Sequence, residues 1–303
     1  MTVVLELAVT DSDAGVSLAD ADAILAVAQE SGIDAIRLLD RAGESAVVDP
    51  SVSGAYLAGH HDGLGYLIDA RTTHNAPYNL ARRVSAFDRA TDGLVGLVLN
   101  PGDGDEVSDA TAPDRGAVES AERWGEYAGI LEQLWESFPA SALLGDQERA
   151  LVVDDGLVRA IEHDGRFYRV AGPLDGPSSR QGRPPLVVAE PDAVGWKRTA
   201  AHADVVIIDV PSAVASLRSL TSALGAAGRN RTDVTVLVRT RTVPYYLEWY
   251  AHDGVNGVVL VTDDLDAGEV VDLIRAVAAH IERPARGSLR DRLGLRTRTE
   301  VLA

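Results

Sequence analysis

The sequence predicts an α/β fold in which eight strand–helix units close into a (β/α)8 TIM barrel. Short apolar, β-branched runs alternate with longer stretches of helical period, which is the pattern of parallel β/α architecture. The predicted strands are apolar almost throughout, as expected for strands that are covered on both faces. Because eight such units follow one another, a closed barrel is our first interpretation, and a doubly wound open sheet is the alternative.

The first half of the chain supplies four of the predicted strands, which are Val3–Val9 (broken only by Glu6), Ala35–Asp40, Gly63–Ala70 and Leu94–Asn100. Helices are predicted at residues 19–31, after residues 49–50, at 77–90 and at about 115–138. A glycine suits the end of the first helix, and a proline suits the first turn of the third. An irregular excursion, residues 139–184, follows the fourth helix.

The second half repeats the pattern at closer spacing. Its strands are predicted at Pro185–Glu190, Asp204–Val210, Asp233–Arg239 and Gly257–Thr262. The helices that follow them end near residues 201, 227, 252 and 281. Residues 1–303 are therefore interpreted as one barrel domain with an arginine-rich tail from residue 283. We expect this tail to dock on an acidic surface of the chain itself or of a partner.

Composition excludes several classes of function. The 303 residues carry 28 Lys and Arg against 46 Asp and Glu, and a formal net charge of −18 does not suit nucleic acid or an anionic membrane as the main partner. There is no cysteine, so disulfides, thiolate metal sites and a cysteine nucleophile are excluded. The chain lacks a signal-like start and a run of the ~18 apolar residues that a membrane helix needs. We therefore expect a cytoplasmic protein.

Several stretches of the chain carry a family resemblance. Residues 71–88 read RTTHNAPYNLARRVSAFD, and residues 122–127 read ERWGEY. Residues 163–174 read HDGRFYRVAGPL and lead to QGRP, residues 200–206 read AAHADVV, and residues 288–295 read SLRDRLGL. In order and spacing these stretches resemble the bacterial-luciferase-like flavin monooxygenases. The resemblance is greatest to the branch of the nitrilotriacetate and dibenzothiophene-sulfone monooxygenases.

The resemblance implies a barrel that binds reduced FMN from a separate flavin reductase and oxidises a small organic substrate with O2. In such chemistry the protein holds the isoalloxazine ring, excludes water and orients the substrate. Relatives in this branch usually dimerise, so a homodimer or a paired subunit is expected. The aromatic stripe on the helix of residues 115–138 is interpreted as core or as subunit interface.

The positions at which the branch holds the flavin ring are mostly different here. Leu97 and Val98 stand where the branch has Trp-Asn, and Asn100 lies two residues beyond Val98 on the same side of the strand. Asp69 occupies a position that is commonly threonine. A carboxylate there is unfavourable beside a reduced, anionic flavin unless it is protonated or paired.

The positions implied for the phosphate differ even more. The branch has a Gly-Ala-Ser segment after strand five, whereas Glu190, Pro191 and Asp192 stand there in this chain. Two carboxylates repel a dianion, and proline removes an N–H donor. Arg123 is the best retained cofactor position, and Trp124 replaces the tyrosine that usually follows it.

His74 is the one candidate for a catalytic acid or base. It follows strand three at the end of the barrel where ligand sites lie, and histidine alone titrates unperturbed near neutral pH. The acidic loop 100–113 is a candidate lid over the same end, but its carboxylates fail the spacing of a calcium loop, so no metal site is predicted. The long late insertion of the branch is shortened here to residues 243–253.

Three hypotheses follow from these residues. The first is a divergent flavin-dependent monooxygenase. The second is a non-catalytic member of the family, a partner subunit or binding protein without the usual FMN site. The third is an enzyme that uses the barrel mouth for other chemistry, with four acidic residues at the strand ends as its candidates: Asp40, Asp69, Glu190 and Asp209.

Overall fold

Eight parallel strands close into a barrel in the computed structural model, which describes residues 2–11, 15–41, 46–73, 75–102, 120–241, 254–281 and 287–295. The strands are β1 (Thr2–Leu7), β2 (Ala35–Leu38), β3 (Gly65–Arg71), β4 (Val95–Asn100), β5 (Leu186–Val188), β6 (Val205–Asp209), β7 (Thr235–Thr240) and β8 (Gly257–Leu260). They are neighbours in chain order, and β8 pairs with β1. The TIM-barrel prediction is confirmed, and the open-sheet alternative is wrong because no strand of this sheet is an edge.

Several of the helices begin or end at residues whose chemistry suits a helix terminus. They are α1 (Leu18–Ser31), α2 (Pro50–Ala58), α3 (Pro77–Ala90), α4 (Ser120–Glu136), α5 (Pro191–Val194), α6 (Trp196–His202), α7 (Ala213–Ala226), α8 (Ala267–Ala278) and α9 (Leu289–Arg292). Ser17 forms a capping box at the start of α1, and Gly32 ends that helix at φ 84°. Among the described residues, no helix has the length and apolar character to cross a bilayer.

Inside the barrel, the strands alternate between the lumen and the surrounding helices. The lower lumen is filled by a tightly buried apolar cluster to which all eight strands contribute: Val4, Ala35, Leu67, Val98, Val187, Val205, Ile207, Leu237 and Val259. On each strand, the inward-facing residue that follows this cluster, two positions further along the chain, lies nearer the carboxyl end of the strand. This alternation determines which polar side chains reach the ligand-binding end of the barrel.

The C-terminal segment closes the opposite end of the barrel. Leu289 and Leu293 belong to the apolar cluster of the lumen, and Arg290 pairs with Asp204 at 3.1 Å with both side chains buried. Burial raises the pKa of Asp204, but Arg290 and Arg183 together bring it below its ordinary value. For residues 287–295 the predicted docking surface is thus the chain's own barrel, and the rest of the tail lies outside the described residues.

The excursion of residues 139–184 contains two small antiparallel ribbons, formed by residues 143–146 with 151–153 and by 163–164 with 169–170. Asp88 of α3 anchors its end, because the buried carboxylate accepts hydrogen bonds from Ser179, Gln181 and the Val95 N–H. Burial raises the pKa of Asp88 to about 7. The excursion is therefore bound to the barrel through polar contacts.

The aromatic stripe of α4 belongs to the core. Trp124, Tyr127 and Trp135 are at most 2% exposed. The indole N–H of Trp135 donates to the carbonyl of Ala81 in α3 at 3.0 Å. Of the two interpretations, core and subunit interface, core packing is confirmed for these side chains.

Candidate functional site

A network of four charged side chains forms the upper layer of the lumen, one inward position above the apolar cluster. Glu6 of β1, Arg37 of β2 and Asp69 of β3 are all at most 6% exposed, and Arg239 of β7 completes the group. We call these four residues the lumen network. In a parallel barrel, this layer lies directly below the loops that build ligand sites.

The lumen network is joined by short, directional ion pairs. Arg37 donates to both oxygens of Asp69, at 2.8 and 2.9 Å, and to Glu6 Oε1 at 2.5 Å. Arg239 donates to Glu6 Oε2 at 2.9 Å and to Asp209 at 3.1 Å. Because bidentate guanidinium–carboxylate pairs fix both partners, the network is a rigid floor beneath the barrel mouth.

The buried charges of this floor depend on one another. Burial raises the pKa of Asp69, and the Arg37 guanidinium opposes that rise. Burial lowers the pKa of Arg37, but the carboxylates of Asp69 and Glu6 raise it above its ordinary value. The requirement stated from the sequence, that a carboxylate at position 69 must be protonated or paired, is met by pairing with Arg37.

Asn100 places an unused acceptor beside the floor. Its side chain shares the lumen side of β4 with Val98, as predicted, and its Nδ2 donates to Asp69 at 3.1 Å. The residue is 2% exposed, and Oδ1 has no hydrogen-bond partner among the described residues. Thr73 Oγ1, just beyond β3, is also buried and without a partner in the described part of the chain. A buried, unsatisfied acceptor is costly unless a ligand completes it.

The rim around the mouth is paired as well. Arg71 lies 2.8 Å from Asp40, and Arg241 lies 2.7 Å from Asp263. Of the four acidic residues that the third hypothesis named, Asp40, Asp69 and Asp209 each have an arginine partner. Among the described residues, no group of three or more His, Cys, Asp or Glu is arranged to hold a metal ion.

The turn after β5 is built from acidic residues. Glu190 and Asp192 are exposed, and Asp192 accepts a hydrogen bond from Trp196 Nε1 at 3.1 Å. Three backbone N–H groups of this turn, at residues 193, 194 and 195, donate to the carbonyls of Glu190 and Pro191. These N–H groups are already used, so this turn has few donors left for an anion.

The structure places Arg123 and Trp124 away from the lumen network. Trp124 Nε1 donates to the carbonyl of Leu99 at 2.8 Å, on the face of β4 that packs against the helices. Arg123 is 2% exposed, with its guanidinium 5.6 Å from the ring centre of Phe167 in the excursion. These two residues connect α4 to the barrel wall and to the excursion.

Three predicted features fall outside the described residues. They are His74, the acidic stretch from residue 103 onward in the candidate lid, and the short connection of residues 243–253. Sequence reasoning missed the roles of Arg37 and Arg239. The available signal was that each is a charged residue within a predicted apolar strand, as Glu6 and Asp69 are.

Comparisons of the sequence and the fold with known proteins identify a family that shares this barrel. A family profile described as luciferase-like monooxygenase matches residues 2–244. The chain belongs to the luciferase-like monooxygenase family. A subunit of pristinamycin IIA synthase from Streptomyces pristinaespiralis is 28% identical over 193 residues, which cover 63% of this chain and 62% of that protein. Nitrilotriacetate monooxygenase component A from Aminobacter aminovorans is 30% identical over 164 residues, covering 53% of this chain and 36% of that protein. In each case the match covers less than two thirds of the relative's length.

Solved structures of luciferase-like proteins share the fold. EDTA monooxygenase from Chelativorans sp. BNC1 aligns with a TM-score of 0.76 at 18% identity, covering 98% of both chains. Long-chain alkane monooxygenase LadA aligns with a TM-score of 0.76 at 17% identity, covering 97% of this chain and 95% of that one. The barrel is therefore the luciferase-like barrel over nearly its full length.

The mouth of this luciferase-like barrel fits one part of a flavin and not another. The ring part fits, because Asn100 offers a buried acceptor that a ring N–H can satisfy. The phosphate part does not fit the β5 turn, where two carboxylates stand and backbone donors are already used. The described mouth thus suits the ring and not the phosphate.

Proposed function

We propose that this chain oxidises a small organic molecule with O2 and a reduced flavin that a separate reductase supplies. The observation that carries the proposal is the buried Oδ1 of Asn100, which has no hydrogen-bond partner among the described residues and lies beside the paired floor of a luciferase-like barrel. FMN is the flavin that the sequence resemblance implies. Two relatives are named as a subunit of a synthase and as a component of a monooxygenase, which supports a partner protein and a paired or dimeric assembly.

In this proposal, the chain's own residues position the ring and exclude water. Asn100 accepts a hydrogen bond from the polar edge of the ring, and its Nδ2 stays bound to Asp69, which fixes the amide orientation. The lumen network closes the barrel below the ring, because ion pairs link its side chains to one another. A bound reduced flavin supplies the electrons that activate O2, and the protein's contribution is orientation and a closed site.

An anaerobic titration with reduced flavin, followed by calorimetry, tests this proposal. We expect saturable binding to the wild-type chain, and at least tenfold weaker binding to Asn100→Leu, since the ring edge then loses its acceptor and faces a methyl group. Asn79→Leu is the matched control, because Asn79 is exposed on α3. Equal affinities of the Asn100→Leu and Asn79→Leu variants would contradict the assigned role of Asn100.

A second candidate function is a family member that does not bind flavin and acts as a partner subunit or binding protein. It is favoured by the pairing of Arg37, Arg71 and Arg239 with carboxylates, which leaves these cations largely neutralised. Absence of binding by the wild-type chain, with either oxidised or reduced flavin, would support this candidate and contradict the first.

A further inference from the structure

The turn after β5, where the family resemblance implies the phosphate of the flavin, carries two exposed carboxylates, Glu190 and Asp192. FMN ends in a phosphate, which carries negative charge and accepts hydrogen bonds, whereas riboflavin ends in a hydroxyl, which can donate. Glu190 and Asp192 offer carboxylate oxygens and no donors. These two side chains match the hydroxyl and repel the phosphate.

Much of the backbone of this turn is not available to an anion. Pro191 has no N–H, and the N–H groups of Ala193, Val194 and Gly195 donate within the turn at 3.1, 3.1 and 2.8 Å. A phosphate site on a glycine-rich turn depends on such N–H groups pointing outward. Here they point to the carbonyls of residues 190 and 191.

Arginines around the mouth are paired with carboxylates, and Arg198, whose Nη1 lies 3.5 Å from where a Cβ on Gly195 would stand, is itself 3.8 Å from Glu122. Arg239 pairs with Glu6 and Asp209, and Arg71 pairs with Asp40. Recruiting Arg239 to a phosphate would remove one of the two guanidinium partners of Glu6, whose carboxylate is only 1% exposed, and recruiting Arg71 would take it from Asp40. The paired rim therefore opposes phosphate binding together with the β5 turn.

The proposed ring contact at Asn100 is separate from the residues that would contact the terminal group of the flavin. Its unsatisfied Oδ1 lies at the end of β4, and β4 pairs directly with β5 through Val98 and Val187. The acceptor for the ring and the carboxylates of the β5 turn thus follow adjacent strands. A flavin can use the first without bringing a phosphate to the second.

We propose that this chain takes a phosphate-free flavin of the riboflavin class in preference to FMN, with Glu190 and Asp192 as the residues that determine the choice. The inference rests on the proposed function, because it assumes that the barrel mouth binds a flavin. It assigns the two carboxylates a specificity role, and it leaves the ring contact at Asn100 unchanged.

Calorimetric titration of the full chain with reduced riboflavin and reduced FMN, under anaerobic conditions, tests the inference. We expect riboflavin to bind at least tenfold more tightly than FMN at low salt, with the difference narrowing at high salt as the repulsion is screened. The double variant Glu190→Gln, Asp192→Asn should raise the affinity for FMN about tenfold and change that for riboflavin less than threefold.

A matched control removes two carboxylate charges at the opposite end of the barrel. Glu30→Gln with Asp62→Asn changes exposed residues at the end of α1 and before β3, and it should leave both affinities unchanged. FMN binding as tight as riboflavin, or no gain for FMN in the Glu190→Gln, Asp192→Asn variant, would overturn the inference and leave the proposed function standing. Binding of neither flavin would overturn the proposed function itself.

Discussion

Replacing Arg37 by leucine should destabilise the folded chain by about 3–5 kcal/mol at pH 7, because two buried carboxylates lose a shared cation. Arg37 donates three hydrogen bonds of 2.5–2.9 Å, two of them to Asp69. Glu6 would keep Arg239 as a partner, whereas Asp69 would keep only the amide of Asn100 among the described residues. Most of the lost free energy is therefore assigned to Asp69.

The pH dependence of this variant has a definite sign. Without Arg37, nothing comparable offsets the burial that raises the pKa of Asp69, so its folded-state pKa lies further above the unfolded value. A group with a raised folded pKa contributes stability at low pH and loses it as pH rises through that pKa. The cost of Arg37→Leu should accordingly be smaller at pH 5 than at pH 7.

Urea denaturation followed by circular dichroism measures these differences. Arg241→Leu is the matched control, because the Arg241–Asp263 pair at the rim is about half exposed and should be worth no more than about 1 kcal/mol. Arg37→Leu with Asp69→Leu should recover most of the loss, since no unpaired carboxylate then remains at β3. A single Arg37→Leu variant within about 1 kcal/mol of wild type at pH 7 would refute the reasoning.

Other regions give three further predictions. Leu289→Ala should cost about 3 kcal/mol in unfolding free energy by opening a cavity in the sealed end of the lumen, whereas exposed Leu144→Ala should cost under about 0.5 kcal/mol. The wild-type chain should lose at most about 4 kcal/mol of unfolding free energy as pH rises from about 4 to 7, because the buried Asp88 must then ionise. Asp88→Asn should abolish this loss, as measured by the difference in unfolding free energy between variant and wild type at each pH. Gly257→Ala should lower the melting temperature, because a Cβ there would lie 2.2 Å from a β1 carbonyl oxygen, while Gly225→Ala in α7 has open space and should raise it.

Much of the fold could be predicted from the sequence, because strand periodicity and helix caps are local signals. Every barrel strand lies within two residues of its predicted bounds at both ends. The structure also confirms the inward side of Asn100, since alternation along a strand fixes it. The hydrogen bond from Trp124 to the carbonyl of Leu99 could not be predicted from the sequence, because it joins residues 25 positions apart.

The candidate site was harder to predict because its partners are far apart in the chain. Arg37 meets Asp69 across 32 residues, and Arg239 meets Glu6 across 233 residues. A charged residue within a strand shows that a buried charge exists, but nothing local identifies its partner. The sequence alone therefore showed that Asp69 needs a partner, but it did not identify Arg37 as that partner.

The measurement that tests the central claim most directly is oxygen consumption by the full chain when a separate flavin reductase, NADH and flavin are supplied with a panel of small organic substrates. We expect that one substrate raises oxygen uptake and gains oxygen in its product, and that this gain falls with Asn100→Leu and persists with Asn79→Leu. Reduced flavin that neither binds to the chain nor changes its rate of reaction with O2 when the chain is added would contradict the proposed function.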